Sequence, residues 1–298
     1  TFGSSPPGMN LKEQPIPGTP GDVKGTPSRT KTSSASGFGN TLNIDSLLAA
    51  EQTGKVSQII TPNDAIKDKI HFIINNVSKS NLRSKGRELK AVLKSEFYAY
   101  FSRYLVIKRV SIEANFQKLY AAFLDAIGIP ELRKQMIETT YDNIKVLLSS
   151  EKIVSSSSER SLLKNLGSWL GLLTIAKNKP VRAKYLDLKQ LILDAYDTGR
   201  LIAVIPFCAK VLESCADSKV FRPPNPWLMA LVALLREIFD LPGLKLNLKF
   251  EIEVLFNHLQ INMRDVKPSI LLKDRHITAE RAASFRAGTA TAAPTTTG

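Results

Sequence analysis

Apolar positions recur every three to four residues through the middle of the chain, and the pattern fades toward both ends. Ile66, Ile70, Ile73, Ile74 and Val77 share one face of a helix at 3.6 residues per turn. Ahead of them, Thr61-Pro62-Asn63-Asp64 reads as a start signal: a hydroxyl cap, proline at the first helical position, and an acid in the first turn. After a break at Ser80-Asn81, Leu89, Val92 and Leu93 resume the stripe, and Phe97, Tyr100, Phe101 and Tyr104 extend it. A helix predicted over 113–127 carries Phe116, Leu119, Tyr120, Phe123 and Leu124. Pro130 opens the next, through Met136, Ile137, Tyr141, Ile144 and Leu148.

The serine run 155–158 interrupts the pattern. Ser158 is the predicted cap of a helix containing Leu162, Leu163, Leu166, Trp169, Leu170 and Leu173. Asp187 starts a shorter helix that Gly199 ends, and another follows over 200–215. Asn225-Pro226 caps one more, closed by Pro242-Gly243, and a last pair is predicted at 246–259 and 266–272. Short connections make neighbouring helices antiparallel. Grouped in pairs, the helices fall at 62–104, 113–149, 158–198, 200–241 and 245–272. A spacing of roughly 40 residues matches HEAT repeats, in which each pair buries its apolar face on the next. The predicted class is all-α, with HEAT-like antiparallel helix-pair repeats forming an α-solenoid; a non-repetitive helical bundle is the alternative.

Composition sharpens the boundaries. Residues 1–41 are rich in Gly, Pro, Ser and Thr and too poor in large apolar groups to offset the entropy of ordering. A disordered linker is expected there, an ordered domain over 42–275, and a disordered tail over 276–298. The chain begins at Thr1 and reads as an internal fragment of a longer polypeptide. Hydrophobic residues make up 43% and charged residues 23%, as in an ordinary soluble protein. No apolar run reaches the roughly 18 residues that span a bilayer. Cys208 and Cys215 on one helix would lie about 10 Å apart along its axis, too far for a disulfide, so a reducing, intracellular compartment is expected.

Net charge is +14; with +2 in 1–41 and +1 in 279–298, the middle keeps +11. Such a surface attracts nucleic acid or an acidic protein, or simply keeps the domain soluble. The six cations between Lys79 and Lys94 could follow phosphates, but the aromatic residues after them sit at core spacing and are not interleaved for base stacking. Nucleotide-binding glycine loops are absent. His71, His258 and His276 are scattered, without the close ligand pairs of a zinc site. Glu251 and Glu253, two positions apart on a helix, point to different sides and cannot converge on one bond. No enzyme, cofactor or metal is expected. The segment 221–227, Phe-Arg-Pro-Pro-Asn-Pro-Trp, is different: prolines rigidify it, and arginine and tryptophan are frequent interface anchors. Trp227 can equally be such an anchor or a core residue below a turn.

Four strings carry a family resemblance: 104–113 (YLVIKRVSIE), 159–171 (ERSLLKNLGSWLG), 221–227 (FRPPNPW) and 246–255 (LNLKFEIEVL). Together they resemble the central domain of the large NOT-type scaffold subunit of the CCR–NOT messenger-RNA deadenylase complex, over about 40–275. The resemblance implies a fold akin to the middle domain of the translation-initiation scaffold factor four-G. It implies two partners, a CAF/Pop-type deadenylase nuclease and a DEAD-box RNA helicase, with other NOT-complex subunits held by the rest of the parent chain. The implied role is a non-catalytic scaffold in mRNA deadenylation, decay and translational repression, cytoplasmic (P-bodies included) and also nuclear. Nuclease contact is expected at Phe97, Tyr100, Phe101 and Tyr104, where the family pattern has a tryptophan in place of Tyr100. Helicase contact is expected at Arg222, Pro223, Pro224, Asn225 and Trp227. An RNA-binding helical-repeat module is the competing reading, with direct RNA contact otherwise weak.

Overall fold

Asn63 starts the first long helix. Its side chain accepts from the Ile66 backbone N–H at 3.0 Å and satisfies one of the donors every helix start leaves open. Helix α1 is therefore Asp64–Asn75. The cap lies two residues beyond the predicted Thr61, and Pro62 precedes it instead of occupying the first turn, because an Asn side chain reaches the third helical N–H directly. In the computed structural model residues 44–48, 59–273 and 275 are described. All lie in the unit Thr41–Gly298; the unit Thr1–Asn40 falls outside them. The expected linker at 1–41 and tail at 276–298 also lie outside the described residues.

The helices that follow are α2 (Leu82–Val92), α3 (Tyr98–Leu105), α4 (Gln117–Ile127), α5 (Pro130–Ser149), α6 (Ser157–Leu173), α7 (Leu188–Asp197), α8 (Leu201–Glu213), α9 (Pro226–Phe239) and α10 (Leu246–His258). No strand occurs among the described residues. Several boundaries follow the sequence signals. Asp187 accepts from the N–H groups of Lys189 and Gln190, Asn225 accepts from Leu228 N–H with Pro226 next to it, and Gly128, Gly199 and Gly243 take positive φ after helix ends.

Three expectations are corrected. Ser156, not Ser158, caps α6, accepting from Glu159 N–H at 3.2 Å. The stripe expected to run from Leu89 to Tyr104 is cut at Leu93-Lys94, where a 3-10 turn at Ser95–Phe97 turns the chain into α3. The segment 266–272 is not a helix: after a 3-10 turn at Met263–Asp265, the Glu237 carboxylate accepts from the N–H groups of Leu271 and Leu272 at 3.0 and 2.9 Å. A side chain from α9 supplies the acceptors that a helical ladder would have provided.

Because 62–104 holds three helices, the pairing shifts by one helix. The packed pairs are α1–α2, α5–α6, α7–α8 and α9–α10, with α3 and α4 consecutive between the first two. Helices α2, α4, α6, α8 and α10 each pack on the next, forming one row; in the other row α3 packs on α5 and α7 on α9. This two-row stack is the helical-repeat arrangement, all-α and solenoid-like. The row of even-numbered helices carries the centre of the core. Leu162, Leu163, Leu166, Trp169, Leu170 and Leu173 of α6 are all buried, and each such side chain contributes about 1.5–3 kcal/mol relative to exposure. Close approach of α6 to α8 needs Gly167 and Gly171: a Cβ on either would stand 2.8 Å from a carbonyl oxygen of α8, Phe207's or Val211's respectively.

Candidate protein-docking surfaces

Helix α3 and the turn residue Phe97 that leads into it carry two adjacent aromatic stripes, and packing sends them to different places. Phe97 and Phe101 point into the core, at 6% and 0% exposure. Tyr100 and Tyr104, four residues apart and so on one face, are half-buried at the rim. There they meet α1. The Tyr104 ring stacks on His71 with centroids 4.3 Å apart and planes 25° off parallel, and the Tyr100 hydroxyl lies 3.2 Å from His71 Nε2. The four predicted nuclease-contact residues are thus split, two supporting from beneath and two presented. His71, one of the three scattered histidines of the sequence, is what joins them.

A cavity of about 450 Å³ opens here, lined by His71, Tyr100, Arg103, Tyr104, Lys108 and Arg109 among others. Arg103 stands on α3 itself, and Lys108 and Arg109 come from the turn after it, where Val106–Val110 widens into a π-type helix. Ser111 donates its hydroxyl to the Ile107 carbonyl at 2.7 Å inside that turn. Arg109 is held by Glu113 at 3.2 Å, and Glu113 also accepts from the Tyr120 hydroxyl. Burial, then the hydrogen bond to Glu113, pushes the Tyr120 phenol up to about 12. Burial likewise raises Tyr100 and Tyr104 above the ordinary phenol value, so both remain neutral hydroxyls at physiological pH. Burial lowers His71, opposed by the charge of Asp68 and reinforced by Arg109 and Lys67.

Next to His71 in sequence, Phe72 stands 61% exposed, with the Lys85 ammonium 5.5 Å from its ring centroid. Phe72 was missed because it falls off the Ile66–Ile70–Ile73 stripe. That offset was itself the legible signal: a large aromatic on the polar side of an amphipathic helix.

The 221–227 segment is a braced loop. Ser218 Oγ accepts from the N–H groups of Val220 and Phe221. Asn178 Oδ1, from the connection between α6 and α7, accepts from Lys219 N–H at 2.8 Å and from Val220 N–H at 3.2 Å. Asn225 caps α9 and donates its side-chain amide to the Val220 carbonyl at 3.0 Å. Arg222 and Pro224 are exposed, and Pro223 and Asn225 partly so. Trp227 is neither of the two alternatives read from the sequence: it is half-buried, edge-on to Phe221 at 5.6 Å and 72°.

The remaining sequence candidates resolve simply. Glu251 pairs with Lys164 of α6, while Glu253 is exposed. Cys208 and Cys215 are buried free thiols, Cys215 pushed up to about 12 by burial alone. Among the described residues no three His, Cys, Asp or Glu side chains group to hold a metal ion, and no helix is long and apolar enough to cross a membrane.

Comparison with known proteins fits this architecture. Residues 58–282 match the family described as the CCR4-NOT transcription complex subunit 1 CAF1-binding domain. The chain is 42% identical over 240 residues, 78% of its length, to the CCR4-NOT transcription complex subunit let-711 of Caenorhabditis elegans. It is 40% identical over 211 residues, 71% of its length, to the general negative regulator of transcription subunit 1 of Schizosaccharomyces pombe. It is 36% identical over 219 residues, 74% of its length, to the protein of the same description in Saccharomyces cerevisiae. The match covers 9–10% of the length of these relatives.

Proposed function

The chain belongs to the CCR4-NOT transcription complex subunit 1 CAF1-binding domain family, and from that premise we propose that it is a non-catalytic docking domain for a CAF1-type deadenylase. The observation that carries the proposal is the α1–α3 rim. There Tyr100 and Tyr104 present aromatic surface beside the basic turn containing Lys108, with Phe97 and Phe101 buried beneath; Phe72, next to His71 on α1, adds an exposed ring outside the cavity, on the side of Lys85. Exposed aromatics on a pre-ordered helix lose little entropy on binding and make effective anchors. The domain acts by tethering, raising the local concentration of the nuclease on a bound messenger.

The test is titration of purified CAF1-type deadenylase against the wild-type chain and the Phe72→Ala plus Tyr100→Ala variant. Loss of about 2 kcal/mol or more of binding, with unfolding midpoint little changed, supports this surface; unchanged affinity removes it.

A second partner is proposed on a separate observation, the bracing of the 221–227 loop by Ser218 and Val220, themselves held by Asn178. A rigid loop with Arg222 and Trp227 at its ends suits docking of a DEAD-box RNA helicase, coupling deadenylation to translational repression in the cytoplasm, P-bodies and nucleus. Retention of the helicase in a pull-down by the Arg222→Ala plus Trp227→Ala variant would rule it out.

A further inference from the structure

A larger cavity, about 690 Å³, opens between the start of α5 and the connection from α6 to α7. It shares no lining residue with the α1–α3 rim. Its floor is apolar: Ile137, Pro180, and the rings of Tyr141 and Tyr185, whose centroids are 5.2 Å apart. Its rim is basic, with Arg133, Lys134, Lys179 and Arg182 against one carboxylate, Glu138. Arg133 is engaged by Asp125, whereas Lys134, Lys179 and Arg182 form no ion pair among the described residues. The sequence carries the signal at 177–184, where four cations and no acid fall within eight positions.

This rim is built, not loose. Lys179 N–H donates to the Thr174 carbonyl at 3.0 Å. Arg182 N–H donates to the hydroxyl of the buried Tyr141 at 3.2 Å. Val181 and Leu186 are buried on either side. Asn178, in the left-handed region at φ 58°, faces its amide oxygen to the 218–220 loop. A backbone already held in place leaves only the exposed Lys and Arg side chains to be ordered when a ligand arrives.

Unpaired cations around an apolar floor suit an occupant with two properties, negative charge and an apolar side chain to bury. A nucleic acid meets only the first. Stacking a base requires an open aromatic face. Tyr141 is buried, and Tyr185 is engaged by Tyr141 and by the ammonium groups of Lys184 at 4.5 Å and Lys145 at 5.8 Å. We propose that this cavity is a docking site for an acidic peptide segment of a partner protein, its carboxylates on Lys134, Lys179 and Arg182 and one apolar side chain on the Ile137–Tyr185 floor.

The experiment uses the 298-residue chain and fluorescence anisotropy. The probe is a fluorescein-labelled synthetic peptide with a central Leu-Phe pair flanked by acidic residues. Its comparators are the same peptide with both apolar residues replaced by serine, and a short oligouridylate. The expected result is binding of the first peptide that weakens at least tenfold in Lys134→Glu plus Arg182→Glu, and at least tenfold when serine replaces the Leu-Phe pair. Lys179→Glu alone repeats the measurement should the double variant unfold early. Absence of measurable peptide binding, or affinity indifferent to charge reversal, overturns the proposal. Tighter binding of the oligouridylate, lost in the same variant, also overturns it and assigns the cavity to nucleic acid. Deadenylase binding by the charge-reversed variants is expected to be unchanged, so failure here is distinguishable from failure at the α1–α3 rim.

Discussion

The α6–α8 seam and the α1–α3 seam are both helix-on-helix contacts, yet they are closed by opposite means. At α6–α8 the backbones approach through Gly167 and Gly171, and Trp169, Leu170, Phe207 and Val211 fill the surroundings with no exposed surface. At α1–α3 the helices meet through rings, His71 stacked on Tyr104 and the Tyr100 hydroxyl against His71 Nε2, and a cavity remains. Dispersion falls off steeply with separation, so the glycine seam maximises cohesion and leaves nothing to bind. The ring seam gives up some cohesion and keeps polar tips and aromatic faces at the surface.

Substitutions at the two seams should therefore separate stability from binding. The largest stability effect is expected for Trp169→Ala, about 3–5 kcal/mol in urea denaturation; a loss below about 1 kcal/mol would erase the contrast. Next is Gly171→Ala. Its Cβ would press on the Val211 carbonyl and the Ser214 side chain, costing about 1–3 kcal/mol by overpacking. Outside both seams, Asn225→Ala removes a helix cap and is expected to cost about 1 kcal/mol, by thermal or chemical denaturation. Beside the ring seam on α1, Phe72→Ala should leave the denaturation curve within about 0.5 kcal/mol of wild type, as for a surface substitution, while the proposed docking surface predicts a weaker deadenylase complex.

The smallest effect is a pH dependence specific to the ring seam. Burial holds His71 below its ordinary value, so the unfolded chain takes up the proton more readily than the folded one. Stability from this residue is full above the unfolded value of about 6.5 and declines as pH falls below it. Denaturation midpoints at pH 7.5 and 5.5 should differ more for wild type than for His71→Gln. An equal difference in both would show that the His71–Tyr104 stack does not report on this seam.

Helix type and order were legible because apolar spacing and caps are local. Asp187, Asn225 and Pro130 each mark a start that the structure keeps. Misread boundaries came from competition among neighbouring polar groups: Ser156 against Ser158, and Asn63 against Thr61, where more than one side chain in sequence could cap. The 266–272 segment has helical spacing, yet Glu237, 34 and 35 residues before Leu271 and Leu272, takes their backbone donors. No local pattern encodes that.

The sequence alone settled an all-α chain of short antiparallel helices, since period and end signals depend only on neighbours within a turn. It also placed aromatic residues on α3. Which aromatic stripe faces inward was a tertiary decision. Phe97–Phe101 and Tyr100–Tyr104 are adjacent four-residue stripes of similar apolar character, and either could have been buried. Packing of α3 on α5, with His71 of α1 reaching across, sent the phenylalanines to the core and left the tyrosines at the rim. A hydroxyl is cheaper to leave where His71 and water can satisfy it than to bury unpaired.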